Sequence, residues 1–309
     1  MAYGIGCHLR FTSADKLTES ALMLHAGEAM IESLRDRLGV DIGRRLRLED
    51  GIDWAVRNQV RYIDIQLDTD PNAFTSFDGA RARAIRSRCE RDGIHLGLHT
   101  LSAINVAEYS PLVSEAVDAY MRAYIDLAPQ LGAEWIVVHA GYHFTADVPE
   151  RVQAGLDRLR RMVAYAETRG ARLLLENLNK EPADAEVHYL AHSVPEWRTY
   201  YDAIHSPAFG LSFTANHAHL MPDGVEGFVT DIPFERVAEV RLADCFRNGH
   251  EQHLVPGQGD FDFGAMFQLI EARGFRGHYM SAFGTLDDMQ AARGILCAAA
   301  QAAGVATEQ

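Results

Sequence analysis

Short runs of apolar and β-branched residues alternate along the chain with longer segments of helical periodicity. The runs predict eight strands, at residues 3–8, 61–67, 94–99, 134–139, 171–176, 208–213, 238–243 and 277–283. Helical patterns fill the intervals; one runs from Ser110 to Leu131 and stops at Gly132, a residue type that commonly ends helices. This alternation is typical of βαβ units with parallel strands, and eight such strands indicate a closed barrel rather than an open sheet. The predicted fold class is therefore α/β, a (β/α)8 barrel of the TIM type.

The first unit is longer than the others and contains two helical patterns, at about 15–37 and 47–58. We therefore expect an extra helix in the first βα unit, which would cover the barrel mouth, form a dimer contact or only decorate a loop. No segment has the composition of an inter-domain linker, so residues 1–309 are predicted to form a single domain.

Composition narrows the class of protein. Hydrophobic residues make up 48% and charged residues 23% of the chain, as in a globular protein with a sizeable core. No apolar run reaches the length of a membrane span, and the start of the chain lacks the pattern of a secretory signal. The four cysteines lie far apart without a C-x-x-C pair, which favours reduced thiols and a cytoplasmic location.

The formal net charge of −14 repels a phosphate backbone, so nucleic acid is not expected as a partner. We expect a small-molecule substrate instead. The sequence leaves open whether the chain forms a homo-oligomer.

Polar residues collect at the carboxyl ends of the predicted strands, while the strand interiors are strongly apolar. In barrels of this type the last residues of the strands face the mouth, where active sites lie. The strand-end residues are His8, Gln66, His99, His139, Glu176, Thr214, Arg241 and Ala282, and the loops that follow add Asn177, His217, His219, Asp244, Glu251 and His253.

Three of these residues, His99, His139 and Glu176, end neighbouring strands. Two imidazoles and one carboxylate form a ligand set for one divalent metal ion, zinc or manganese, with a position left open for water or substrate. Glu176 follows three leucines, and a buried carboxylate requires a cation or hydrogen-bond donors. The alternative is an ion pair between Glu176 and Arg241 in a metal-free barrel.

The remaining residues of the ring are assigned by chemical type. Glu176, His217 and His253 are candidate proton carriers, with His217 preferred over His219, and Arg241 is a candidate electrophile. The candidate substrate-binding residues are His8, Gln66, Asn177, Asp244 and Glu251. The chain lacks a P-loop, a G-x-S-x-G elbow and an H-E-x-x-H motif.

Four segments resemble the xylose-isomerase-like superfamily, which includes sugar isomerases and epimerases and AP-endonuclease relatives. They are LLLENLN at 173–179, GLSFTANH at 210–217, VRLAD at 240–244 and PGQGDFDF at 256–263. The resemblance extends from the first predicted strand to the last helix, and it implies a TIM barrel with divalent metal at the mouth.

The ligand set departs from that of the family's epimerases, in which a Glu, an Asp, a His and a second Glu hold one ion. Glu176 matches the first, whereas Thr214, Arg241 and Ala282 replace the other three. The endonuclease-like pattern implies zinc ligands at His99, His139, Glu176, His217 and His253, with Glu251 in place of an Asp. The resemblance thus allows one metal at His99, His139 and Glu176 and, less readily, a second at His217, Glu251 and His253.

The resemblance implies an enzyme, because its members are metal-dependent isomerases, epimerases and related catalysts. In the epimerases the two Glu residues act as opposed bases, so the loss of the second argues against two-base epimerisation. We expect a metal-dependent isomerase, or a lyase or dehydratase, that moves one proton on a small polyhydroxylated or oxygenated substrate. The alternatives are a metal-free or non-catalytic relative with a Glu176–Arg241 pair and, less expected, a metal-dependent phosphoesterase.

Overall fold

The computed structural model describes residues 32–308. In this part of the chain, eight parallel strands close into a barrel. The barrel strands are β1 (Leu38–Gly43), β2 (Tyr62–Ile65), β3 (His95–His99), β4 (Trp135–Val138), β6 (Leu173–Glu176), β8 (Phe209–Thr214), β9 (Val237–Leu242) and β10 (His278–Ser281). Around the barrel they follow one another in the order β1-β10-β9-β8-β6-β4-β3-β2. The predicted fold class is confirmed.

Helices connect the strands around the outside of the barrel. In the described residues they are α1 (Leu48–Arg57), α2 (Gly79–Asp92), α3 (Pro111–Leu131), α4 (Val148–Arg169), α5 (Val194–Tyr201), α6 (Ala215–His219), α7 (Gly224–Asp231), α8 (Phe263–Ala272) and α9 (Leu286–Ala302). Helix α3 begins with a proline and ends at Gly132 in the left-handed conformation, as its sequence predicts. None of these helices is long and apolar enough to cross a membrane.

The first barrel strand differs from the prediction. Leu38–Gly43 occupies the position between β10 and β2, pairing Val40 with both Ser281 and Ile63. Residues 3–8, the predicted first strand, lie outside the described residues, as does His8. The error arose because Leu38–Gly43 follows a charged stretch that continues a helical pattern.

The prediction of an extra helix in the first βα unit is also corrected within the described residues. The pattern at 47–58 forms α1, which is the ordinary connection between β1 and β2. Of the pattern at 15–37, residues 34–37 form a turn and most of the remainder lies outside the described part. The chain divides into Met1–Glu32 and a barrel unit, Ser33–Gln309, so a single domain over residues 1–309 stays a prediction.

Two further strands form a small sheet beyond the barrel. Strands β5 (Tyr142–His143) and β7 (His188–Tyr189) pair antiparallel, and they belong to the loops that follow β4 and β6. Because these loops leave the carboxyl ends of their barrel strands, the small sheet lies on the same side of the barrel as the polar ring.

Near the amino end of the barrel, a large side chain packs against one glycine. A Cβ atom on Gly97 would lie 2.2 Å from the indole of Trp135, so only glycine fits opposite this ring. The surrounding strand residues are buried, as Leu96 and Leu98 are at 0% exposure. The packing fixes the register of β3 against β4 and so the height at which His99 emerges.

Candidate metal centre

Three side chains converge at the carboxyl end of the barrel from β3, β4 and β6. His99 is the last residue of β3, His139 follows β4 directly, and Glu176 ends β6. Glu176 Oε2 lies 3.1 Å from His139 Nε2 and 3.4 Å from His99 Nε2, and the two nitrogens are 3.3 Å apart. The structure therefore brings together the three residues that the sequence predicts as metal ligands.

The tautomer of His139 follows from its neighbour Thr100. The Thr100 hydroxyl lies 3.0 Å from the carbonyl oxygen of Val137, to which it donates, and 3.3 Å from His139 Nδ1. A hydroxyl that donates to the carbonyl accepts from the imidazole, so this network assigns the proton to Nδ1. The lone pair of His139 Nε2 then faces Glu176, as a metal ligand requires.

Glu176 is buried and ionised. It is 4% exposed, and its Oε1 accepts a hydrogen bond of 2.5 Å from the Thr214 hydroxyl. Burial alone would raise the pKa of Glu176, but the contacts with His139 and His99 hold it well below the ordinary value. Burial also lowers the pKa of His139, so this imidazole carries no positive charge to balance the carboxylate at neutral pH.

Arg241 is the guanidinium that the sequence suggests as a partner of Glu176, but it binds other carboxylates. Its Nη1 donates to Asp64 at 2.6 Å and to Glu239 at 3.1 Å, and its Nη2 donates to Asp41 at 3.2 Å. The predicted Glu176–Arg241 ion pair is therefore wrong, because the guanidinium is directed toward β1, β2 and its own strand.

The buried carboxylates around Arg241 outnumber the cations. Asp64 and Glu239 are 0% exposed and Arg241 is 3% exposed. Burial raises the pKa of Asp64 to about 7, whereas for Glu239 the guanidinium of Arg241 outweighs burial and lowers the pKa to about 2. Together with Asp41, three carboxylates thus share one guanidinium, while Glu176 has no arginine or lysine partner among the described residues. Such a surplus of negative charge is costly unless a further cation binds.

A divalent cation at His99, His139 and Glu176 fits this surplus. The donor set of two nitrogens and one oxygen suits zinc or manganese, and the three atoms lie close enough to contact one ion. His99 Nδ1 is buried without a hydrogen-bond partner and lies 3.8 Å from Asp64 Oδ2. A carboxylate beside the second nitrogen of a histidine is the usual surrounding of a metal ligand.

A second set of potential ligands lies beside the first. Glu251 Oε1 is 2.9 Å from His217 Nε2 and 2.8 Å from His253 Nε2. Each histidine donates its Nδ1 proton to a backbone carbonyl, His217 to Asn177 and His253 to Ala282, so both Nε2 atoms present lone pairs when the rings are neutral. The set is open to solvent, since the side chain of His253 is 42% exposed.

Contacts within this second set shift the pKa values of Glu251 and His253. Burial opposes ionisation of both groups, but the hydrogen bonds from His217 and His253 hold the pKa of Glu251 well below its ordinary value, and the contact with Glu251 raises the pKa of His253. Without a bound ion, Glu251 is therefore stabilised by its contacts with the two imidazoles.

The polar side-chain atoms of two predicted substrate-binding residues are already hydrogen-bonded to backbone groups. Asn177 is 0% exposed, and its amide bonds both the N–H and the carbonyl of Thr214. Asp244 is 1% exposed and accepts four backbone N–H bonds, from Cys245, Gly257, Gly259 and Phe261. We therefore reassign both from binding substrate to positioning loops, because their polar atoms have partners already.

The other predicted residues lie at the mouth of the barrel or outside the described residues. Gln66 follows β2 and is half-buried, without a hydrogen bond from its side chain to any described residue. Ala282 follows β10 and contributes only its carbonyl, which accepts from His253. His219 bonds the exposed Asp260 and so faces away from the cluster.

Four residues of the site are missing from the sequence prediction: Asp41, Asp64, Thr100 and Glu239. Asp64 and Glu239 lie within predicted strands, beside buried apolar residues, and a charged residue there signals a polar barrel interior. Asp41 was missed because residues 38–43 lie between the two predicted helical patterns and were not predicted as a strand. Thr100 carries no signal, since a threonine after a strand is common.

Comparison with protein families decides the relationship. The profile described as a xylose isomerase-like TIM barrel matches residues 52–290, which include both candidate ligand sets. The chain belongs to this family. The resemblance seen in the sequence is thereby confirmed. No curated protein sequence matches the chain.

Solved structures of the same fold are similar over most of the chain. A D-tagatose 3-epimerase-like protein superposes with a TM-score of 0.73 at 20% identity, covering 86% of this chain and 98% of its own. D-psicose 3-epimerase from Clostridium cellulolyticum H10 gives 0.70 at 14% identity, covering 88% and 99%. The 3-keto-D-glucoside 4-epimerase of E. coli gives 0.67 at 13% identity, covering 86% and 99%. At these identities the likeness establishes the fold.

Proposed function

We propose that this protein is a metal-dependent enzyme of the sugar isomerase or epimerase kind, acting on a small polyhydroxylated carbonyl compound. The observation that carries the proposal is the convergence of His99 Nε2, His139 Nε2 and Glu176 Oε2 at the barrel mouth, where buried carboxylates outnumber the cations. The activities named for the structural relatives, epimerisation of tagatose and psicose, support the same substrate class.

The ion would be held by His99, His139 and Glu176, and it would supply polarisation of a substrate carbonyl or hydroxyl. Thr100 fixes the ring of His139, and Thr214 holds the second oxygen of Glu176. These contacts limit rotation of the ligands and so place their lone pairs in advance of binding.

The proton carriers in this proposal are His253 and His217. Both rings are oriented by backbone carbonyls, both Nε2 atoms contact Glu251, and His253 is the more exposed to an entering substrate. At the carboxyl end of β10, Ala282 has no titratable side chain. Transfer at one face of the substrate follows, which favours an aldose–ketose isomerisation, a dehydration or a carbon–carbon lyase step over two-base epimerisation.

The first test is the metal content of the purified protein by elemental mass spectrometry. We expect about one zinc or manganese ion per chain, lost in Glu176→Ala and His139→Ala. His205→Ala, at an exposed loop position, serves as the matched control and should keep its metal. A wild-type protein without stoichiometric metal after incubation with either ion would contradict the proposed centre.

The second test concerns the reaction. The metal-loaded protein is incubated in D₂O with D-tagatose, D-psicose and D-fructose, and deuterium at the carbons beside the carbonyl is followed by NMR. We expect exchange that depends on His253 and Glu176. Exchange that persists in His253→Ala at the wild-type rate would assign the proton transfer to another residue.

A phosphoesterase is the second candidate, and the ligand set at His217, Glu251 and His253 is the observation that favours it. Two ions at neighbouring sites are typical of phosphoester hydrolysis. Two metal ions per chain, with the second lost in Glu251→Gln, together with hydrolysis of a phosphodiester and no carbon-bound exchange, would favour this function.

The buried free thiols of Cys89, Cys245 and Cys297 support the predicted cytoplasmic location.

A further inference from the structure

A cavity of about 710 Å³ lies at the amino end of the barrel, opposite the candidate metal centre. Its floor is formed by the first residues of three strands, Tyr62 of β2, Trp135 of β4 and His278 of β10. The volume is within the range of sites for small molecules. No step of the proposed reaction uses this end of the molecule.

The floor is aromatic and carries one available ring nitrogen. His278 stacks on Tyr62 at 4.7 Å with an interplanar angle of 9°, and it lies 4.2 Å from the ring of Trp135. Its side chain is 7% exposed, and Nε2 is bonded to Glu239 at 2.9 Å. Nδ1 is thereby the only ring nitrogen of His278 left for a ligand. Phe234 and Phe275 add an apolar wall, with ring centroids 5.9 Å apart.

The rim carries three guanidinium groups without partners. Arg172, Arg273 and Arg276 line the cavity, and none forms an ion pair or a side-chain hydrogen bond with any residue in the described part of the chain. The Arg172 residue is exposed, and partial burial of its guanidinium lowers its pKa. The three rim arginines are exposed, as are Arg44, Arg57 and Arg83, which also form no ion pair with a described residue. The rim differs from those positions because it places three guanidinium groups around one cavity.

The acidic groups at the cavity are fewer. Glu134 is paired with His95 at 2.7 Å, which leaves Glu235 as the carboxylate of the rim without a partner. With histidines counted as neutral, three arginines against Glu134 and Glu235 leave a local excess of one positive charge in a chain whose net charge is −14. A stabilising role at the amino end of the barrel explains the ring stack but not the unpaired arginines around an open volume.

We propose that this cavity is a second ligand site, specific for a small anion that carries a planar ring. The ring packs on the floor of Tyr62, Trp135 and His278, and the anionic group binds the guanidiniums of Arg172 and Arg276. Guanidinium groups bind planar anions through paired N–H donors, and aromatic rings pack favourably edge to face or offset. This site is independent of the proposed metal chemistry.

The test is isothermal titration of the whole protein with naphthalene-2-sulfonate in the presence of EDTA, so that metal-dependent binding at the opposite end is excluded. We expect saturable binding of one molecule per chain, weakened by added salt. Naphthalene-2-sulfonamide, which keeps the ring without the charge, and methanesulfonate, which keeps the charge without the ring, should each bind at least tenfold more weakly.

Two variants localise the binding. Arg172→Gln with Arg276→Gln should weaken the sulfonate at least tenfold, whereas Arg83→Gln with Arg122→Gln removes the same charge from exposed helix positions and should change the affinity less than twofold. Ala238→Phe, which fills the cavity beside the floor, should abolish binding while the melting temperature reports that the variant is folded.

Other outcomes overturn the proposal. Equal affinity for the sulfonate and the sulfonamide would show that the rim does not select an anion. An equal loss in the two arginine pairs would show that only the net charge matters. No saturable binding to the wild-type protein would exclude the site for this class of ligand.

Discussion

At the scale of single residues, the site depends on hydrogen bonds that fix the tautomers and orientations of its histidines. Thr100 assigns the proton of His139, and the carbonyls of Asn177 and Ala282 assign those of His217 and His253. A neutral imidazole binds a metal only through its unprotonated nitrogen, so these contacts decide which atoms are ligands. No sequence motif reveals these contacts.

Thr100→Val tests this dependence. Valine keeps the shape of threonine but removes the acceptor for His139 Nδ1, so we expect the affinity for zinc to fall by roughly 10–100-fold. The measurement is a competition titration against a chromogenic chelator. Thr199→Val, at an exposed helix position, is the matched control. An unchanged affinity in Thr100→Val would mean that the threonine does not orient the ligand.

The Glu49–Arg81 pair makes stability depend on pH. Two hydrogen bonds of 2.7 and 2.9 Å from Arg81 lower the pKa of Glu49 to about 2. A lowered carboxyl pKa stabilises the fold above the unfolded value and loses this effect as the pH falls toward the folded value. Glu49→Gln should therefore cost roughly 1–2 kcal/mol at pH 7, after allowance for solvent screening, and progressively less between pH 5 and pH 3.

Urea denaturation of both proteins at several pH values checks this expectation. A difference that stays constant from pH 7 to pH 3 would show that the pair does not determine the titration of Glu49.

At the scale of elements, the loop after β9 brings Glu251 and His253 back over the mouth. It closes through the bridge between Asp244 and Leu254 and through the four N–H bonds that the Asp244 carboxylate accepts. The Gly and Pro residues at 256–259 make the turn, while the aspartate supplies the fixed point around which it folds.

Asp244→Asn should loosen this loop. The amide cannot accept all four bonds, and its NH₂ group faces backbone donors, so we expect a loss of about 1–3 kcal/mol in the free energy of unfolding. Hydrogen exchange of the amides at 245–261 should accelerate. Asp184→Asn, at an exposed position, is the control. Unchanged exchange in the loop would show that Asp244 does not anchor it.

At the scale of the whole molecule, Arg241 joins opposite parts of the barrel. It reaches from β9 to Asp41 on β1 and Asp64 on β2, and Glu239 extends the network to Ser212 and His278. Barrels of this type usually fill such layers with branched apolar side chains. Here a charged layer replaces part of the core, and its stability requires every carboxylate to be compensated.

Arg241→Met removes the central cation. We expect a loss of about 3–5 kcal/mol, because buried carboxylates are left without a partner. Adding Asp64→Asn should recover part of the loss, since the double variant buries one charge fewer. Chemical denaturation measures both, with Arg122→Met as a surface control. A double variant that is less stable than the single one would contradict this account.

The periodicity of the sequence predicted seven barrel strands and their helices, because alternation of apolar runs and capped helices is local information. It also placed His99, His139, Glu176, His217, Glu251 and His253 at the mouth, since parallel strands share the direction of their carboxyl ends. It misplaced the first strand, where Leu38–Gly43 follows a charged stretch with helical spacing.

The sequence by itself thus determined the fold class, the family and the ring of residues from which a metal centre can be built. Only the tertiary structure decided which of these residues meet. It directs Arg241 toward Asp41, Asp64 and Glu239 instead of Glu176, and it commits Asn177 and Asp244 to backbone bonds. The physical reason is that a local pattern sets the direction of each strand, whereas the partners of a buried charge are set by all the strands around it.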